Sequence, residues 1–325
     1  MTDFRTNVSI APSPYPVALK TAIITAGSCF ADAIGQRLDQ NKFKVLVNPY
    51  GVIYNPFSIH KTFRYAIHNE PAADHLFIEN NDVFLNYDFH SEFSSLKKSE
   101  LVQRLNNTIG SIHYFLKDAS WILITYGTAW VYNRVDTGEI VANCHKMPAS
   151  LFRKNLMTED AIVKSFETFY NDVKTYNQNI RIILTVSPVR HLKDTFEGNS
   201  VSKSVLRVAC HTITQKFEDA EYFPAYEMMM DDLRDYRFYK SDMIHPTELA
   251  EDYIWEKFAD RYFDPQTKQF IGEWSSIRSA LNHKPFHPQS KQHQQFLSET
   301  LKKLERLQSA INVSAEIEQL KQQMS

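Results

Sequence analysis

Glycine is scarce in this chain, with 8 in 325 residues, about 2.5% where about 7% is usual. That excludes a collagen-like or glycine-rich low-complexity protein, and it draws attention to the glycines that remain. Three of them, Gly27, Gly51 and Gly127, come at or just after the ends of short apolar runs. Cysteine is scarcer still. Cys29, Cys144 and Cys210 are too few and too scattered for a disulfide scaffold or a paired-cysteine metal site, which points to a reducing compartment. No stretch reaches the roughly 18 apolar residues of a membrane-spanning helix. Pro12 and Pro14 interrupt the segment where a secretory leader would need an apolar core, so the expected location is cytoplasmic. Excess charge of either sign is also missing: 36 Lys and Arg stand against 38 Asp and Glu, a net charge of -2. A nucleic-acid or anionic-membrane surface needs concentrated positive charge, so neither is expected as a partner.

What is present is an alternation of buried strands and helices. TAIITA (21-26), FKVLVN (43-48), WILITYG (121-127) and RIILTVS (181-187) are apolar, β-branched runs without a polar face, as strands buried on both sides require. Helical spacing follows the first of them, with Phe30, Ala33, Ile34 and Leu38 on one face. Further helices are expected over 58-69 with Ser58 as cap, 97-118, from Thr158 to about Gln178, and 201-218; a last β-prone stretch covers 221-227. Turn signals within 75-95 and at Asp136-Thr137-Gly138 predict two hairpin insertions. This order predicts an α/β fold, a mostly parallel sheet covered by helices on both faces, with ligands at the carboxyl ends of the strands. After about residue 265 the alternation stops. Residues 291-324 read as polar helix with Leu297, Leu301, Leu304 and Ile311 on one face, a candidate surface for homo-oligomerisation. The chain therefore divides into 1-264 and a helical extension, 265-325.

Glycine-rich dinucleotide and phosphate loops, paired histidines on a helix and a G-x-S-x-G elbow are all missing. Two features remain. Gly27-Ser28 stands where the first strand meets its helix, so Ser28 is either a nucleophile above the sheet edge or a simple helix cap. Asp242-Met243-Ile244-His245 lies in the turn before a helix begun by Pro246 and Thr247. In such a turn the carboxylate reaches one imidazole nitrogen and leaves the other outward as a base, although an Asp–His pair also serves simply to hold a loop.

Taken together these features carry a resemblance. GSCFA stands at 27-31, and NPYGVIYNP (48-56), TYGTAWVY (125-132), NCHKMP (143-148), SPVRH (187-191), NSVSKSVLR (199-207) and YEMMMDDLRDYRFYKSDMIHP (226-246) follow in order. Over about residues 20-262 the chain resembles the GSCFA family, which looks like a branch of the SGNH (GDSL-like) hydrolases. The resemblance implies a flavodoxin-like three-layer fold with Ser28 as nucleophile, His245 as base and Asp242 as the acid that orients it. It further implies an oxyanion hole from the Ser28 N–H, the Gly51 N–H and an Asn after the third strand. That Asn is missing here, and either Asn55 or the Thr128 hydroxyl is expected to replace it, with Asn55 favoured. His145, Arg190 and His191 lie in matched loop blocks and are expected to bind substrate oxygens or a carboxylate. Cys29 is expected to pack in the core, and His283, His287 and His293 to be solvated in the tail.

The expected activity is that of an esterase or O-acyltransferase on a small-molecule or glycan ester, through an acyl-serine and without metal or organic cofactor. The alternative is an SGNH-fold binding or scaffold protein without turnover.

Overall fold

A computed structural model describes residues 6–309 and 311–324. The chain begins with β1 (Ala22–Gly27), α1 (Cys29–Gln40), β2 (Lys44–Val47) and α2 (Pro56–His68). An insertion with β3 (Phe77–Asn80) and β4 (Val83–Asn86) precedes α3 (Lys98–Asp118) and β5 (Trp121–Tyr126). A second insertion, β6 (Trp130–Arg134), β7 (Ile140–Val141) and β8 (Phe152–Leu156), leads to α4 (Glu159–Tyr176). Then come β9 (Arg181–Val186), α5 (Thr195–Lys216), β10 (Ala220–Tyr222), the single turn α6 (Ala225–Glu227) and α7 (Glu248–Tyr262). The chain ends with α8 (Pro265–Leu281), α9 (Lys291–Leu307) and α10 (Ser314–Met324).

Five strands pair in parallel in the order β10-β9-β5-β1-β2. Counted as core strands in chain order this is 2-1-3-4-5, the flavodoxin-like arrangement, whose switch point lies between β1 and β5. The period of two along each strand feeds two cores. Ile24, Ile122, Ile124, Ile182 and Leu184 face α2 to α5. Ile23, Trp121, Leu123 and Ile183 face α1 and α7, through Phe30, Ile34, Leu38, Ile254 and Phe258. The result is a three-layer α/β fold, as the run of apolar strands predicts.

Several details differ from the sequence expectation: α5 begins six residues before the expected 201, and the β-prone stretch 221-227 is a strand only over 220–222 before it turns into α6. The cap of α2 is Asn55, whose Oδ1 accepts from Ser58 N at 2.9 Å. Pro56 at the first helical position needs no donor, and this moves the start back from Ser58. The second insertion is a three-stranded sheet, β7-β6-β8, because 152-156 also pairs with β6. The first is a two-residue hairpin whose Asn81 and Asp82 both have positive φ.

In the C-terminal helices Leu297 and Leu304 are fully buried against Trp274 and Ile277 of α8 and Leu320 of α10, with Leu301 and Ile311 packed alongside. The stripe expected to serve oligomerisation is thus covered from within the chain, and α8, which the sequence reading lacks, is what covers it. This unit docks on the far end of α1, where Trp274 Nε1 donates to Gln40 O at 2.7 Å and Lys42 pairs with Glu316. No helix among the described residues is long and apolar enough to cross a membrane.

Candidate active site

Ser28 follows β1 directly, at the carboxyl edge beside the switch point. Its N–H extends the ladder by donating to Thr125 O at 3.1 Å. Only glycine fits before it: a Cβ on Gly27, at φ +132°, would sit 2.1 Å from that same carbonyl oxygen. The chain therefore passes Thr125 at backbone contact and turns straight into α1. Ser28 caps this helix, its Oγ accepting from Phe30 N at 3.3 Å, and the residue is only 2% exposed.

Asp242 and His245 form the second half. Asp242 Oδ1 accepts from the N–H groups of Ile244 (2.9 Å) and His245 (3.0 Å), and Oδ2 lies 2.7 Å from His245 Nδ1. These bonds, the His245 N–H foremost, hold the carboxylate well below its ordinary pKa. Met243 takes φ +57° to close the turn. An ionised acceptor at Nδ1 assigns the proton there and leaves Nε2 as the basic nitrogen. Nε2 has no hydrogen-bond partner among the described residues.

The turn is braced from both sides. Lys240 N donates to His245 O and Thr247 N to Phe238 O, each at 2.8 Å, and Arg190 N donates to Ile244 O at 3.2 Å. Arg190 stands four residues beyond β9, which puts the turn at the carboxyl edge as well. The start of α7 lies against the opposite end of α1 from Ser28: Arg37, in the last turn of α1, bonds Glu251 and Asp252. By their places after β1 and β9, Ser28 and the Asp242–His245 turn both stand at the carboxyl edge of the sheet. No hydrogen bond joins Ser28 Oγ to His245 among the described residues.

Residues 22–258 match the model of the GSCFA family. The chain belongs to the GSCFA family. Residues 274–325 match the C-terminal domain of GSCFA domain proteins, a stretch that takes in the second half of α8 together with α9 and α10. No curated protein is detectably similar to the chain.

In this GSCFA protein the donors expected for an oxyanion are mostly engaged. Ser28 N–H is in the ladder, and Gly51 N–H closes a turn onto Asn48 O at 2.7 Å. The Thr128 hydroxyl contacts Ser202 Oγ at 3.1 Å and accepts from Trp130 N at 3.0 Å. Asn55 is different. The loop carrying it crosses the strand ends, Ile53 N donating to Gly27 O while Tyr54 O accepts from both Gly127 N and Thr128 N. Asn55 Oδ1 is used as a helix cap, but its Nδ2 has no partner among the described residues. Nor has the N–H of Cys29, the first of α1 and a donor outside the expected set. Cys29 is half-buried, with Sγ 3.8 Å from Tyr54 OH, and so lies at this edge and not in the core.

The three expected substrate-binding residues have internal partners. His145 is buried, with Nε2 2.8 Å from Asn86 O and Nδ1 3.1 Å from Ser91 Oγ; it ties the two insertions together. His191 Nδ1 lies 2.8 Å from Asp194 Oδ2, while Nε2 is buried without a partner. Burial and the nearby Lys203 charge lower the pKa of His191. Arg190 lays its guanidinium 3.9 Å above the Tyr239 ring and reaches Met243 O, so it supports the Asp–His turn. In the tail, His293 is buried and faces the rings of His283 and Phe296, away from full solvation.

Lys203 is the residue that sequence reasoning missed. It is 1% exposed, and its Nζ donates to Gly127 O at 2.7 Å and Ser187 O at 2.8 Å, joining the turns that end β5 and β9. Burial lowers its pKa to about 7. The signal was its register: on α5 it shares the buried stripe with Leu206, Cys210 and Ile213, a place where a lysine needs a reason.

Proposed function

We propose that this GSCFA protein is a serine-dependent ester hydrolase or O-acyltransferase of the SGNH type, working through an acyl-Ser28 intermediate on an O-acylated substrate. The observation that carries the reading is the Asp242–His245 pair at 2.7 Å, with its carboxylate held ionised and Nε2 left free on the edge where Ser28 leaves the sheet. In this reading Ser28 Oγ turns from Phe30 N, gives its proton to His245 Nε2 and attacks the ester carbonyl. Cys29 N–H and Asn55 Nδ2 hold the oxyanion. The C–O bond to the alcohol breaks as His245 returns the proton to it. Water or an acceptor hydroxyl then attacks acyl-Ser28, again through His245, and frees the serine. Exclusion of water decides between hydrolysis and transfer. A glycan ester is the substrate class suggested by the SGNH resemblance.

A second reading, a binding protein without turnover, is favoured by the 2% exposure of Ser28 and its cap bond to Phe30. One experiment separates the two. A fluorophosphonate should label the folded wild type and fail to label Ser28→Ala; a folded wild type that takes no label rejects the hydrolase reading and supports the second.

A further inference from the structure

A cavity of about 220 Å3 opens beside the Asp–His turn, lined among others by Arg190, Met229, Met230, Arg234, Tyr236 and Tyr239. Its wall is continuous with the turn. Tyr239 pairs with Pro246 in an antiparallel bridge, and its neighbours Phe238 and Lys240 bond Thr247 and His245. A π turn, Met228–Asp232, sets the two methionines on this wall, closed by Leu233 N donating to Met228 O at 2.8 Å. Such insertions in a helix are uncommon and recur at functional sites.

Its chemistry is two-sided. Methionine and tyrosine rings offer an adaptable apolar surface. Two guanidinium groups offer positive charge. Arg190 is partly engaged, over Tyr239 and toward Met243 O. Arg234 is exposed and has no hydrogen-bond or ion-pair partner among the described residues. Among the lining residues the one carboxylate is Asp235, which accepts from Arg237 N at 2.9 Å and faces the Arg237 side chain at 3.9 Å; on the π turn Asp231 is exposed and Asp232 is bonded to Tyr253 OH. An apolar cavity of about 150 Å3 takes a benzene ring, so this one has room for a ring and an oxyanion.

We infer that this cavity binds a small oxyanion, a carboxylate or phosphate monoester, carried on an apolar or aromatic body, with Arg234 as its primary charge partner. Its role as the substrate's anchor beside His245 rests on the hydrolase reading; the binding itself does not.

The test is equilibrium binding of phenylacetate, phenyl phosphate and the neutral phenylacetamide to the full chain. A charge-assisted contact predicts the anions at least about tenfold tighter than the amide. Arg234→Gln should bring that ratio close to one, and Met230→Trp, which fills the cavity, should weaken all three. Both residues are exposed, so both variants should fold. Equal affinity for amide and anions, or Arg234→Gln or Met230→Trp binding as wild type does, overturns the inference. Tenfold preference for either anion over the amide supports the inference, and the tighter of the two gives the oxyanion class. Binding unchanged in Ser28→Ala supports the cavity, and it still does so if the wild type takes no fluorophosphonate, in which case only the hydrolase reading falls.

Discussion

Replacing Lys203 by methionine tests the physics of the candidate site's floor. A lysine ordinarily titrates at 10.5, and in the folded chain burial brings Lys203 to about 7. Between those values the folded lysine is neutral while the unfolded one is charged. The unfolded state then binds the extra proton, so stability rises with pH by about 1.4 kcal/mol per unit. Below pH 7 both states carry the proton and the full penalty, on the order of 5 kcal/mol, is present; above 10.5 it is gone. Methionine does not titrate. It leaves Gly127 O and Ser187 O without their donor, a loss of about 1–3 kcal/mol each that is independent of pH. Urea unfolding at pH 7, 8 and 9 should show the wild type gaining on Lys203→Met by about 2 kcal/mol across the series, since at pH 7 the folded lysine is still half protonated. Parallel stability curves for the two proteins would refute the account of a desolvated lysine.

Other expectations are as direct. Ser28→Ala should lose about 1 kcal/mol of stability, the value of a helix cap, and at least about 10⁴-fold in ester turnover, read by thermal unfolding and a chromogenic ester. Asp242→Asn should keep the fold and lower turnover by about 10²–10⁴-fold, since an amide no longer fixes the proton on His245 Nδ1; full activity would remove Asp242 from the mechanism. Gly27→Ala should lose more than about 3 kcal/mol, because its Cβ meets Thr125 O at 2.1 Å, and a soluble variant with wild-type melting would contradict that clash. Burial lowers the pKa of His60, bonded to Ser165 Oγ and Tyr126 OH, from 6.5 to about 3. The native state should therefore lose stability as pH falls from 6.5 toward 3, and His60→Gln should flatten that part of the curve in acid unfolding.

Much of the architecture was legible because its signals are local. An apolar run of six between breakers has few fates other than a buried strand, and a Ser or Thr before a helical pattern has few other than a cap. The Asp242–His245 contact was legible for the same reason, since three residues of turn join its partners. The exception at α2, where Pro56 takes the start and Asn55 the cap, shows one local signal overruling another. His145, His191 and Arg190 were harder. A polar residue in a loop after a strand faces either a ligand or the rest of the chain: the packing of the two insertions settles His145, and Tyr239 with Met243 settles Arg190, whereas the partner of His191, Asp194, stands only three residues on.

What the residues determined on their own is the strand and helix order, the glycine at the end of β1 and the Asp–His turn, all products of steric and hydrogen-bonding rules acting within a few positions. Tertiary structure decided the rest: that Lys203 is sealed between two strand ends, that α8 covers the C-terminal leucines, and that Gly51 N–H and the Thr128 hydroxyl are engaged by neighbours while Asn55 Nδ2 and Cys29 N–H have no partner among the described residues. These depend on which surfaces lose water to one another across the chain. Desolvation belongs to the assembled molecule and to no short stretch of it.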